Sequence, residues 1–154
     1  MSLRSWRMVK RKRADEAFTG EGARQYGGRW NSPGVLVVYT AEHASLAVLE
    51  VLVHLGTAQL LPDYVLFWVE FEDTLVERLD EADLPRDWRS YPAPLSLRAI
   101  GDQWVSEARS AVLSVPSAVV PVERLYLLNV QHADFRKVRT GDAQPFPLDP
   151  RLQR

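Results

Sequence analysis

Short apolar runs rich in β-branched and aromatic residues recur along this chain, and they constrain its fold more than any other feature. They are VLVVYT (Val35–Thr40), YVLFWVEFE (Tyr64–Glu72), AVLSVPSAVVP (Ala111–Pro121) and RLYLLNV (Arg124–Val130). Runs of this length, closed by turn residues, read as buried strands. The third is either one strand broken at Pro116 or two short strands around it. LRSWRMVKR (Leu3–Arg11) alternates weakly and is expected at a sheet edge. Two segments read as helices: AEHASLAVLEVLVHL (Ala41–Leu55), and IGDQWVSEARSA (Ile100–Ala111), starting near Asp102. Strands outnumber helices and do not alternate strictly with them, which predicts an α+β fold rather than a doubly wound sheet. At 154 residues the chain suits one domain with its own core. That domain is expected over residues 1–140. Residues 141–154, proline-punctuated and poor in core residues, are expected as a loosely ordered tail.

The first helix poses the functional question. Thr40 is its expected N-cap and Gly56 its stop. At 3.6 residues per turn His43, Ala47, Glu50 and His54 share one stripe, while the rest of Leu46–Leu55 is Leu, Val and Ala. A helix apolar all round is usually buried. A carboxylate there is costly unless it is paired or faces a cleft. The stripe either reaches solvent or lines a site. Upstream, Ala14–Gly34 is a long glycine-rich stretch of the irregular kind that often carries function. Its GGRWN segment sets Arg29 beside Trp30 and Asn31. Glycine lets backbone approach a ligand, and the guanidinium fork fits phosphate or carboxylate. A solvated surface charge is the alternative. Tyr39 ends the following strand as core or site residue, and Ser117 is a lone hydroxyl in an apolar strand. Because loop, strand and helix are consecutive, Arg29, Tyr39 and Glu50 are expected in one cleft.

Composition removes other classes. The absence of cysteine excludes disulfides, thiolate metal sites and cysteine nucleophiles, and fits a reducing cytoplasm. No apolar run reaches the roughly 18 residues of a membrane span. No G-x-G-x-x-G follows a strand and no G-K-[ST] loop occurs, so neither a Rossmann nor a P-loop site is expected. His43, His54 and His132 are too scattered for a metal site. Formal net charge is -1, yet Arg4, Arg7, Lys10, Arg11, Lys12 and Arg13 crowd the N-terminus. Such a cluster is an electrostatic footprint for nucleic acid. Here it occupies one end, with Trp6 as its sole aromatic. Arginine supplies 16 of the 19 basic residues, which suits planar recognition of phosphate and equally reflects the base composition of some genomes.

YGGRWNSPG, VVYTAEHASLAVLEVLVH, RSAVLSVPSAVVP and LLNVQHADF together resemble the RES domain toxins of bacterial toxin–antitoxin pairs. The resemblance runs from about Trp6 to Phe135. It implies an ADP-ribosyltransferase-like fold, a split β core with flanking helices. It implies an enzyme that cleaves the nicotinamide–ribose bond of NAD, with NAD as substrate, no resident cofactor and no metal. Inorganic phosphate, water or a protein side chain would be the acceptor. The family's arginine falls on Arg29 and its glutamate on Glu50. Its serine falls on Ser117, with Ser110 and Ser114 nearby, and its active-site tyrosine falls on Tyr39. His54, Tyr26 and Asn31 are implied as further substrate-binding residues. The implied partner is an Xre-type helix-turn-helix antitoxin that covers the active site in a hetero-oligomer, touching DNA only through that antitoxin. The implied location is the cytoplasm, with no membrane contact.

Overall fold

The structure is a computed structural model that describes residues 1–55 and 63–152. The expected Gly56 stop and the last two residues of the tail fall outside that range. Eight strands form one sheet: β1 (Ser2–Lys10), β2 (Val38–Ala41), β3 (Tyr64–Glu72), β4 (Val76–Arg78), β5 (Val112–Pro116), β6 (Arg124–Leu128), β7 (Arg139–Thr140) and β8 (Gln144–Pro145). Their order is β4-β5-β6-β2-β1-β3-β7, with β8 also on β3. All pairings are antiparallel except β4 with β5. Among the described residues three α-helices accompany the sheet: α1 (Glu21–Tyr26), α2 (Ala44–Leu52) and α3 (Leu95–Ser106). The α+β class expected from the strand count is the class observed.

Sheet position explains the strand sequences. β6 buries alternate residues into two apolar clusters: Leu125 and Leu127 pack with α2 and α3, whereas Tyr126 and Leu128 pack on the other side. A strand buried on both faces reads as a continuous apolar run. β1 is not the edge strand that its weak alternation suggested. It lies between β2 and β3, in register with β3 from Ser2↔Glu72 to Lys10↔Tyr64. Its charges are accommodated locally. Arg4 stacks over Trp68 at 5.0 Å and pairs with Glu70 at 2.8 Å, so charge does not force the strand outward.

The helices start elsewhere than expected, for one physical reason: their expected caps bond across the fold. Thr40 belongs to β2, where its Oγ1 is hydrogen-bonded to Ser5 Oγ and Tyr126 O at 2.7 Å each. His43 takes the N-cap position of α2, without a side-chain cap bond. Asp102, the expected start of the second helix, sits inside α3, whose N-cap is Pro94. The irregular stretch begins within a 3-10 turn at Arg11–Glu16 and contains α1. β5 ends at Pro116 as a single strand. The segment expected as a loose tail pairs β8 with β3 and buries Leu148.

Candidate active site

An open cleft of about 790 Å³ runs between α1, the Gly27–Trp30 loop, α2 and residues 89–93. That volume lies in the range of small-molecule sites. Arg29, Tyr39, Glu50, His54 and Tyr26 all line it. The resemblance therefore selected residues that the fold brings together. Asn31 and Ser117 are placed differently.

Asn31 is fully buried and builds the loop. Its Nδ2 donates to the carbonyls of Ala23, Ser32 and Val35, and its Oδ1 accepts from the Tyr39 hydroxyl at 2.5 Å. The same hydroxyl accepts from Trp30 N at 3.1 Å. The Tyr39 hydroxyl therefore clasps the arginine loop, and its ring remains in the cleft wall. Burial raises its pKa, so it stays a neutral phenol. Glycine is required at position 28, because a Cβ there would lie 2.6 Å from that hydroxyl. Helix α3 backs the loop: Arg98 Nε donates to Gly28 O at 3.1 Å, and Asp102 accepts from Ser32 N at 2.8 Å and Ser32 Oγ at 2.6 Å. From this frame Arg29 reaches across the cleft, and its Nη1 donates to Trp88 O at 2.9 Å and Ser90 O at 3.0 Å.

Ser117 is completely buried and does not line the cleft. Its Oγ donates to Glu50 Oε1 at 2.9 Å and accepts from Val119 N and Val120 N at 3.1 and 3.0 Å. A hydroxyl has one proton and two lone pairs. Two backbone donors fill the lone pairs, so the proton points at Glu50. Ser117 thus orients the carboxylate rather than the substrate. Ser110 receives Trp104 Nε1 and Ser114 receives Arg124 Nε, both away from the cleft. Glu50 is half-buried, and burial raises its pKa. The Ser117 bond, His54 and Arg29 pull it back down. Ser117→Ala is expected to move the acid limb of the rate–pH profile to higher pH, since the removed donor favoured the ionised carboxylate. Loss of a hydrogen bond to a charged group, about 1.5–3 kcal/mol, predicts a fall in kcat of roughly tenfold or more near neutrality. An unmoved acid limb would contradict this role.

His43, expected on the Glu50 stripe, instead bonds Glu123 at 2.9 Å outside the cleft. The expected all-round burial of α2 is also not observed. Leu46 and Ala47 are buried, whereas Leu49 and Val53 are exposed, because α2 lies over the sheet and leaves its outer face open.

Charge distribution was the signal hardest to see in the sequence. Surface arginines such as Arg4, Arg11 and Arg109 pair with carboxylates. The four cleft arginines, Arg7, Arg29, Arg89 and Arg98, pair with no carboxylate among the described residues and rest on backbone carbonyls. Arg7 donates to Ala17 O and Tyr39 O, and burial pulls its pKa down to about 10. Glu50 is the only carboxylate lining the cleft among the described residues.

A sheet-based cleft with one half-buried carboxylate among guanidinium groups that pair with no carboxylate among the described residues defines a domain suited to an anionic substrate. The chain belongs to the RES domain family, whose model matches residues 4–149. It is 41% identical over 150 residues to "Toxin Res" of Yersinia enterocolitica, covering 96% of this chain and 98% of that one. It is 35% identical over 159 residues to the "Prs ADP-ribosylating toxin" of Sphingobium sp., covering 100% and 99%. Its fold is similar to that in the crystal structure of the M. tuberculosis MbcT-MbcA toxin-antitoxin complex, with a TM-score of 0.77 at 23% identity over 99% of this chain and 87% of that chain.

Proposed function

We propose that this chain is the toxin of a toxin–antitoxin pair and that it cleaves the nicotinamide–ribose bond of NAD. The observation that carries the reading is Glu50, held by Ser117 beside Arg29 in a cleft whose arginines lack carboxylate partners. The bond breaks with both electrons passing to the nicotinamide nitrogen, which neutralises the ring and leaves positive charge on the ribose. A carboxylate fixed beside that centre stabilises the developing charge. Arg29, with Arg7 and Arg98, supplies donors for the pyrophosphate. The Tyr39 ring and His54 complete the wall around the reacting ribose. This chemistry calls for no metal and no resident cofactor.

The same cleavage serves three acceptors. Water gives ADP-ribose, inorganic phosphate gives ADP-ribose-1″-phosphate, and a protein side chain gives an ADP-ribosylated target. Four guanidinium charges exceed those of Glu50 and a pyrophosphate together, which favours an anionic acceptor and hence phosphorolysis. The Sphingobium relative's name supports protein modification as the second reading. Toxin names among the relatives and the toxin–antitoxin title of the structural neighbour support an antitoxin partner. On this reading it is an Xre-type helix-turn-helix protein that covers the cleft, whose mouth exposes Tyr26, Val53 and Tyr91. Contact with operator DNA would pass through that partner. On this reading the toxin acts on the NAD of the cytoplasm. No helix among the described residues is long and apolar enough to cross a membrane.

Incubating the purified, partner-free chain with NAD, with and without phosphate and with a cell lysate, separates the acceptors by product. Phosphorolysis predicts ADP-ribose-1″-phosphate in the phosphate arm. Label retained on a lysate protein would favour the second reading. Intact NAD in every arm, from folded protein, would overturn both.

A further inference from the structure

Tyr91 keeps 87% of its surface exposed at the mouth of the cleft, where Tyr26 is 67% exposed. An aromatic ring left in water at a binding site is a surface for another planar group. The segment that carries it is anchored. Trp88 is buried, and its Nε1 donates to Glu81 Oε1 at 3.1 Å. The carbonyls of Trp88 and Ser90 both accept from Arg29 Nη1. Tyr91 is therefore one residue from a contact with the cleft's central guanidinium. Its hydroxyl has no hydrogen-bond partner within the chain among the described residues. Arg29 thus reaches from its loop to the 88–90 segment beside Tyr91, while Glu50 on α2 lines the same cleft.

We infer that Tyr91 is the stacking platform for the adenine base of the dinucleotide. The inference rests on the NAD reading of the cleft and deepens it. A dinucleotide presents its nicotinamide ribose, its pyrophosphate and its adenosine in that linear order. With the scissile ribose at Glu50 and the pyrophosphate at Arg29, adenosine falls at the rim, against Tyr91. Stacking needs one exposed aromatic face and no hydrogen-bonding code, which is what an unpartnered rim tyrosine offers. Tyr91 is a specificity residue: it favours a dinucleotide over a mononucleotide carrying the same scissile bond.

The test compares the wild type, Tyr91→Ala and Tyr91→Phe on NAD and on nicotinamide mononucleotide, which lacks adenosine. Base stacking of about 1–3 kcal/mol predicts that Tyr91→Ala raises KM for NAD about tenfold and lowers the NAD-to-mononucleotide ratio of kcat/KM by a similar factor. Tyr91→Phe is expected to retain the wild-type ratio. An unchanged ratio in Tyr91→Ala would overturn the inference while leaving NAD cleavage intact. A wild type that cleaves neither substrate would overturn the parent reading instead. A binding measurement then decides Tyr91 without catalysis: ADP is expected to raise the melting temperature of the wild type, and Tyr91→Ala to need roughly tenfold more ADP for the same rise. Equal ADP responses would refute the stacking role.

Discussion

Glu50→Gln is expected to lower nicotinamide release from NAD by about a thousandfold, the scale set by removing a preorganised charge-stabilising group, and at the same time to raise the melting temperature near neutral pH. The first effect follows from charge: an amide keeps the shape and accepts the Ser117 hydrogen bond, but it cannot balance a cationic ribose. The second follows from burial, which holds the Glu50 pKa above its ordinary value despite Ser117, His54 and Arg29. A carboxyl whose pKa is raised on folding binds more protons in the native than in the unfolded state. Its contribution to stability therefore falls as pH rises from the unfolded pKa through the folded one. Above that window the ionised, half-buried carboxylate costs stability, and the neutral amide removes the cost. Thermal melts of wild type and Glu50→Gln are expected to converge in acid and separate near neutrality, with the variant higher. A variant that is both inactive and less stable at neutral pH would indicate a structural role.

Gly101→Ala is expected to be the most damaging Gly→Ala substitution among the described glycines. Gly101 lies inside α3, where alanine ordinarily gains up to about 1 kcal/mol in helix propensity. A Cβ there would stand 1.7 Å from Trp30 O, 2.8 Å from Trp30 C and 3.4 Å from Trp30 Cα. All three are backbone atoms, so no rotamer change relieves the clash. Either α3 or the arginine loop must move, and overpacking of this kind costs about 3 kcal/mol or more. For a chain of this size that corresponds to a fall in melting temperature of roughly 10 °C. Because the loop carries Arg29, activity is expected to fall too. Gly22→Ala in α1 is the counterpart: nothing lies within 4 Å of its added Cβ, so a modest rise in stability is predicted. Matching gains in both variants would show that helix propensity, not the Trp30 contact, governs Gly101.

Sequence patterns revealed the parts of this fold whose causes are local. β3 matches its apolar run residue for residue, since Tyr64–Glu72 is dominated by valine and aromatic residues. Arg29 and Glu50 stood out because one is a charge among glycines and the other a charge among leucines and valines. What stayed hidden depended on partners distant in sequence. Thr40 and Asp102 look like helix caps, yet one bonds Tyr126 O and the other Ser32. Asn31 and Ser117 look like ligand-facing groups, yet one builds the loop under Tyr39 and the other, 67 residues from Glu50, orients its carboxylate. Arg7 was masked by the basic run around it. Only the arrangement of β1 against β2 separates it from neighbours that pair with surface carboxylates.

The most direct test of the account is nicotinamide release from NAD by the purified, partner-free chain, measured side by side for wild type and Glu50→Gln at equal folded concentration. The account predicts multiple turnovers of release by wild type and a loss of about three orders of magnitude in the variant. Folded wild type that leaves NAD intact, or a variant that releases nicotinamide as fast as wild type, would contradict it.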